Sequence, residues 1–128
     1  MKSKLLVLLF AGMTLLGVNA YAHHSFAATY LEDQKMTLEG DIVQFLYRNP
    51  HSFVHIEVKQ PNGEPVRWAV EWGAGGQLGS QGITRESLKP GDHVIIQAVP
   101  GRNPEDHRAR MVNITRPSDG WKWGGTFD

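Results

Sequence analysis

Ser52-Phe53-Val54-His55-Ile56-Glu57-Val58-Lys59-Gln60, the turn Pro61-Asn62-Gly63-Glu64-Pro65, and Val66-Arg67-Trp68-Ala69-Val70-Glu71-Trp72 are the residues that decide the fold. Val54, Ile56 and Val58 alternate with Phe53, His55, Glu57 and Lys59; Val66, Trp68, Val70 and Trp72 alternate with Arg67, Ala69 and Glu71. A period of two over both runs is the pattern of half-buried β-strands, and the Pro-Asn-Gly segment between them reads as a hairpin loop. The apolar residues of both strands must share one face. A two-residue Asn62-Gly63 turn would oppose Val58 to Arg67 and mix the faces. An odd loop with Pro61 opposite Pro65 keeps them matched, pairing Val58 with Trp68, Ile56 with Val70 and Val54 with Trp72. That register sets Lys59 opposite Arg67 and His55 opposite Glu71.

On the N-terminal side, Met36 to Tyr47 reads as a long strand interrupted at Gly40, with a break in side-chain parity at Ile42-Val43 that predicts a bulge or sharp bend. Arg48-Asn49-Pro50 is a turn, because proline disfavours helical geometry in the residue before it. On the C-terminal side, Gly73 to Gly82 is glycine-rich but has neither phosphate-loop nor dinucleotide spacing, and reads as a flexible connection. Thr84 is positioned to cap a short helix through Leu88. Lys89-Pro90-Gly91-Asp92 turns into a fourth strand, His93 to Val99, and His107 to Arg116 forms a fifth, followed by a tail over 117–128 that carries Trp121 and Trp123. Three strands, a short helix and two strands give an all-β domain: a small five-stranded OB-like barrel with one short helix between strands 3 and 4.

The first 22 residues carry Lys2 and Lys4, the apolar run Leu5 to Phe10, and Ala20-Tyr21-Ala22. A basic start, a short apolar stretch and small residues at −3 and −1 form a cleavable signal peptide. Gly12, Thr14 and Gly17 dilute the segment, and a membrane span needs roughly 20 apolar residues. The expected product is a soluble periplasmic domain over 23–128, with a polar lead-in over 23–35 in which Phe26 and Tyr30 are the candidate anchors. Losing Lys2 and Lys4 turns a formally neutral chain slightly acidic, which argues against nucleic acid as a partner. The chain contains no cysteine, so disulfides, thiolate metal sites and thiol nucleophiles are excluded.

No nucleophile–base–acid set is visible, and the carboxylate pairs Glu32-Asp33 and Glu105-Asp106 fall in loops, so no enzyme is indicated. The histidines carry more information. Cleavage after Ala22 exposes His23 and His24, and an N-terminal histidine offers its amine and ring nitrogen together, a set that suits copper. His51 is the expected third ligand, with His55 and Glu71 in support. In extended geometry His51 and His55 lie roughly 13 Å apart, so both reach one ion only if the strand bends. The alternative is a metal-free module that holds a periplasmic protein, a peptide or a small apolar ligand on Phe53, Trp72, Trp121 and Trp123.

Ala22-His23-His24-Ser25-Phe26, Leu38-Glu39-Gly40, Asn49-Pro50-His51, Trp68-Ala69-Val70-Glu71 and Leu88-Lys89-Pro90-Gly91-Asp92, in that order, resemble a family of small exported bacterial proteins known only as a domain of unknown function. The resemblance spans nearly all of the mature chain. It implies a signal peptide and a small β-barrel-like domain, and it implies no activity, cofactor or catalytic residue. Here Glu71 is followed by an extra aromatic, Trp72.

Overall fold

Residues 26–125 are described by a computed structural model. The leader over 1–22 and His23 and His24 lie outside the described residues. The strands are β1 (Met36–Leu46), β2 (Phe53–Lys59), β3 (Pro65–Glu71), β4 (His93–Pro100), β5 (Arg108–Arg116) and β6 (Trp121–Gly124). A helix, α1 (Gly75–Ser80), follows β3, and a 3-10 turn (Pro104–Asp106) precedes β5.

The hairpin β2–β3 forms as the alternation requires, with a register two residues from the expected one. Val58 pairs with Val66, Ile56 with Trp68, Val54 with Val70, and His55 with Ala69. Glu71 is opposite Phe53, not His55. The loop is Pro61-Asn62-Gly63, closed by Gln60 N–H to the Glu64 carbonyl at 2.9 Å. Gly63 takes φ +86, the left-handed position that a three-residue hairpin loop assigns to glycine. A shift of two residues leaves every side chain on its own face, so hydrophobic pattern alone does not choose between the two registers. The conformational demand of Gly63 does.

β1 serves two neighbours. Its first half pairs with β4 and its second with β2, and it bends across the barrel at Gly40, where a β-carbon would lie 2.1 Å from the Glu57 carbonyl oxygen. The expected bulge falls between Ile42 and Gln44, which brings both Ile42 and Phe45 to the core. A second irregularity between β4 and β5 does the same for Met111 and Ile114. Parallel pairing of β3 with β5 closes the ring in the order β1-β2-β3-β5-β4. That is a closed five-stranded barrel of the OB type, and closure covers the β3 edge with Arg108–Arg110 of β5, an edge that a small cysteine-free domain would otherwise expose.

Two expectations are corrected outside the barrel. The helix between strands 3 and 4 is Gly75–Ser80, inside the glycine-rich stretch, and not Thr84–Leu88. Leu78, fully buried, anchors it, and Tyr47 OH donates to the Gly75 carbonyl at 2.5 Å. At 84–88 the hydroxyls bond locally: Thr84 N–H donates to Ser87 Oγ at 2.8 Å and Glu86 N–H to Thr84 Oγ1 at 3.3 Å, a turn chemistry that competes with helix. The segment read as a C-terminal tail contains β6, which pairs with β5 through Ile114–Trp123 and Arg116–Trp121. Trp123 is thereby buried in the core and Trp121 is half-buried against it.

Candidate functional site

Four residues distant in sequence converge on the outer face of the β3–β5 seam. Glu71 ends β3 with its side chain on the same face as Phe53, yet it is only 6% exposed. Burial of an ionised carboxylate is costly unless its oxygens are occupied, and here three donors occupy them. Tyr30 OH donates to Oε2 of Glu71. Arg108 donates from its terminal nitrogen to the same oxygen at 2.8 Å and from Nε to the Tyr30 oxygen at 2.9 Å. His51 Nδ1 lies 2.9 Å from Oε1. Burial and the bond to Glu71 push the Tyr30 phenol well above its ordinary range.

Each side chain is held by its local sequence. Tyr30 ends a helical turn over 26–29, tied by its N–H to the Phe26 carbonyl at 2.8 Å and bridged to Gly101. The Arg102 side chain clasps the Ala27 carbonyl at 2.7 Å. The lead-in is therefore docked, with both expected anchors in use. His51 follows the turn Arg48-Asn49-Pro50, whose Asn49–Pro50 peptide is cis. Buried Ser52 closes that turn through bonds to the Arg48 N–H and carbonyl. Arg108 and Arg110 alternate with inward Ala109 and Met111 on β5, so both guanidinium groups share the outer face. Arg108 lies 5.3 Å from the Phe53 ring centroid, and Arg110 4.8 Å from that of Phe26.

Beside this cluster opens a cleft of about 430 Å³, bounded by Phe26, His51, Glu71, Arg110, Gln77 and the apolar side chains of Trp72, Met111 and Trp123. Trp72 and Trp123 meet edge to face with centroids 5.0 Å apart.

His51 and Glu71, both expected at a site, are brought together. His55 is not: it pairs with Ala69 and packs its ring against Phe53 at 6.5 Å. Burial, then the nearby Arg67 and Arg48, hold its pKa below the ordinary histidine value. His93 sits elsewhere, between Asp41 at 2.7 Å and Glu39 at 3.0 Å. Among the described residues no group of three His, Asp or Glu side chains is placed to hold a metal by itself. Of the four aromatics, Trp72 and Trp123 border the cleft; Phe53 lies among arginines on β2, and Trp121 packs against Arg116. Arg108 and Arg110 were not singled out from sequence, although the period-two run Arg108-Ala109-Arg110-Met111 signals two cations on one strand face.

Residues 12–110 match the profile of DUF6152, a family of unknown function. The chain belongs to that family. Membership of DUF6152 brings no assigned activity, so the chemistry rests on this chain's own residues. No curated protein and no solved structure matches the chain. No helix among the described residues is long and apolar enough to cross a membrane.

Proposed function

We propose that this DUF6152 protein is exported by its N-terminal leader and works in the periplasm as a non-enzymatic accessory domain that binds copper. His23, His24 and His51 are its ligands, and Glu71 orients His51. The observation that carries this reading is the 2.9 Å contact between His51 Nδ1 and Glu71 Oε1. An ionised carboxylate only accepts, so Nδ1 carries the proton of this contact, and in the neutral ring the lone pair is then on Nε2. A carboxylate behind an imidazole is the usual outer shell of a metal-binding histidine. The His51 side chain is 41% exposed and therefore accessible. The ring of Phe26 packs edge-on against it at 6.0 Å, and His24 is two residues earlier, a reach of roughly 7 Å.

Mass spectrometry of the exported protein, with and without copper, reports the amino terminus and the stoichiometry together. The expected result is a start at His23 and one copper ion per chain, with affinity falling on acidification because protons compete with the metal for imidazole. His51→Ala, and a chain extended by one residue before His23, should each bind much more weakly. Equal, weak binding by native and extended protein would refute the copper site.

A second reading rests on the cleft. Its wall of Trp72, Trp123, Met111 and Phe26 supports a metal-free module for a small ligand, for which the metal variants would be silent.

A further inference from the structure

The cleft wall is rich in donors and poor in acceptors. Its one carboxylate among the described residues, Glu71, already accepts from Tyr30, Arg108 and His51. Arg110 is ion-paired, but not hydrogen-bonded, to a carboxylate. Its nearest acid, Glu32, stands at 3.8 Å, beyond hydrogen-bond length, and its guanidinium otherwise faces the rings of Phe26 and Tyr30. The indole N–H groups of Trp72 and Trp68 are both enclosed with no acceptor among the described residues, so Trp72 offers the cleft its ring and not its N–H. Among the described lining residues Arg110 is the one guanidinium, and the carboxylate of Glu71 is already occupied. Phe26, Trp72, Met111 and Trp123 make the rest of the lining apolar, and about 430 Å³ is at the small end of the range for ligand sites, about 300–1,000 Å³.

We infer that this cleft binds a small aromatic carboxylate, its anion held in the fork of Arg110 and its ring against Trp72, Trp123 and Phe26. A guanidinium fork matches a carboxylate with two parallel bonds. A phosphate dianion would need more compensating charge than one arginine supplies and would gain nothing from the aromatic wall. This deepens the small-ligand reading and rests on it; His51 borders the same cleft, but the carboxylate is held by Arg110 and not by the copper ligands.

The test uses the mature protein stripped of metal with a chelator, labelled with ¹⁵N, and titrated with benzoate, benzamide and inorganic phosphate. The four tryptophans give four indole N–H signals, and Trp72→Phe identifies that of Trp72. Benzoate should move the Trp72 signal with a dissociation constant of about 1 mM, the range open to so few atoms. Benzamide and phosphate should bind at least about tenfold more weakly, and Arg110→Gln should weaken benzoate by about tenfold while leaving the spectrum of the free protein otherwise intact. The chain extended by one residue before His23, which weakens the proposed copper site, should leave benzoate binding in place. Equal binding of benzoate and benzamide would overturn the carboxylate while leaving a small-ligand cleft. Binding of benzoate that leaves the Trp72 signal unmoved, or that is indifferent to Arg110→Gln, would overturn the site. Phosphate matching benzoate would make it a general anion site, and no response to any probe up to about 10 mM would overturn both readings.

Discussion

His51 Nδ1 sits 2.9 Å from Glu71 Oε1 although the strand register opposes Glu71 to Phe53. The pair is diagonal: His51 precedes β2 by two residues, on the side of the ribbon that Phe53 and Glu71 share. Diagonal neighbours on one face of an antiparallel pair are roughly 7–8 Å apart, within reach of long side chains. The same carboxylate holds Tyr30 from the lead-in and Arg108 from β5, so Glu71 ties the amino terminus to the barrel.

Glu71→Gln should therefore destabilise the domain more than an ordinary polar substitution. It removes the charge that compensates Arg108 and leaves Tyr30 OH a poorer acceptor. With Arg108 partly solvated, the expected loss is about 1–3 kcal/mol, read as a lower urea midpoint. Tyr30→Phe alone should cost about 1 kcal/mol. The double variant should lose less than the two singles together, because the residues share one bond. Full additivity would mean that the bond contributes nothing.

The raised Tyr30 pKa carries a pH signature. An acid whose folded pKa exceeds its unfolded value, 10.0 for Tyr30, keeps its contribution below that unfolded value. Above about pH 10 the unfolded phenol ionises while the folded one does not, so stability falls as pH rises. Chemical denaturation from pH 8 to pH 11 should show this decline in the native chain and a shallower one in Tyr30→Phe.

His93 and His55 should titrate on opposite sides of 6.5. Hydrogen bonds from Glu39 and then Asp41 raise the first; burial, then Arg67 and Arg48, lower the second. His93 contributes stability below pH 6.5 that is lost as pH climbs through its folded pKa. NMR titration of ring protons gives both midpoints. Glu39→Gln should bring His93 down towards 6.5 and leave His55 where it was, and a His93 midpoint at or below 6.5 in the native chain would disprove the contact.

Glycine substitutions separate close approach from open space. Gly40→Ala would drive a β-carbon to 2.1 Å from the Glu57 carbonyl oxygen, a backbone atom that cannot swing aside, and should cost at least about 2 kcal/mol. Gly76 meets nothing within 4 Å, so Gly76→Ala in α1 should be neutral or stabilising by about 0.5 kcal/mol. Thermal melts of the two variants, compared with the native chain, decide the point.

Trp123→Ala should lower stability by about 3–5 kcal/mol, because Trp123 is 8% exposed and belongs to the core. Trp121→Ala should cost less, as that ring is half-buried beside Arg116. Any loss of ligand capture in Trp123→Ala must therefore be read against circular dichroism of the same sample.

The sequence by itself determined what depends on local pattern. Period-two alternation over Ser52–Gln60 and Val66–Trp72 specified two strands and their inward faces, and a parity break at Ile42-Val43 specified the bulge. The order of strands, with a helix after the third, specified the barrel. It also brought out His51 and Glu71 as candidates, though through a pairing of Glu71 with His55 that does not exist. Tertiary structure decided the rest. Registers two residues apart keep the same faces, so only the backbone demanded by Gly63 distinguished them. Thr84 carries a good capping hydroxyl, yet the helix formed at Gly75–Ser80, where Leu78 had a core to enter. Trp121 and Trp123 looked like a tail until β5 offered an edge to pair with. Above all, nothing local marks Glu71 as buried. Its environment is made by Tyr30 and Arg108, 41 and 37 residues away along the chain, and a carboxylate is stable there because docking of the lead-in brings the first donor and barrel closure the second.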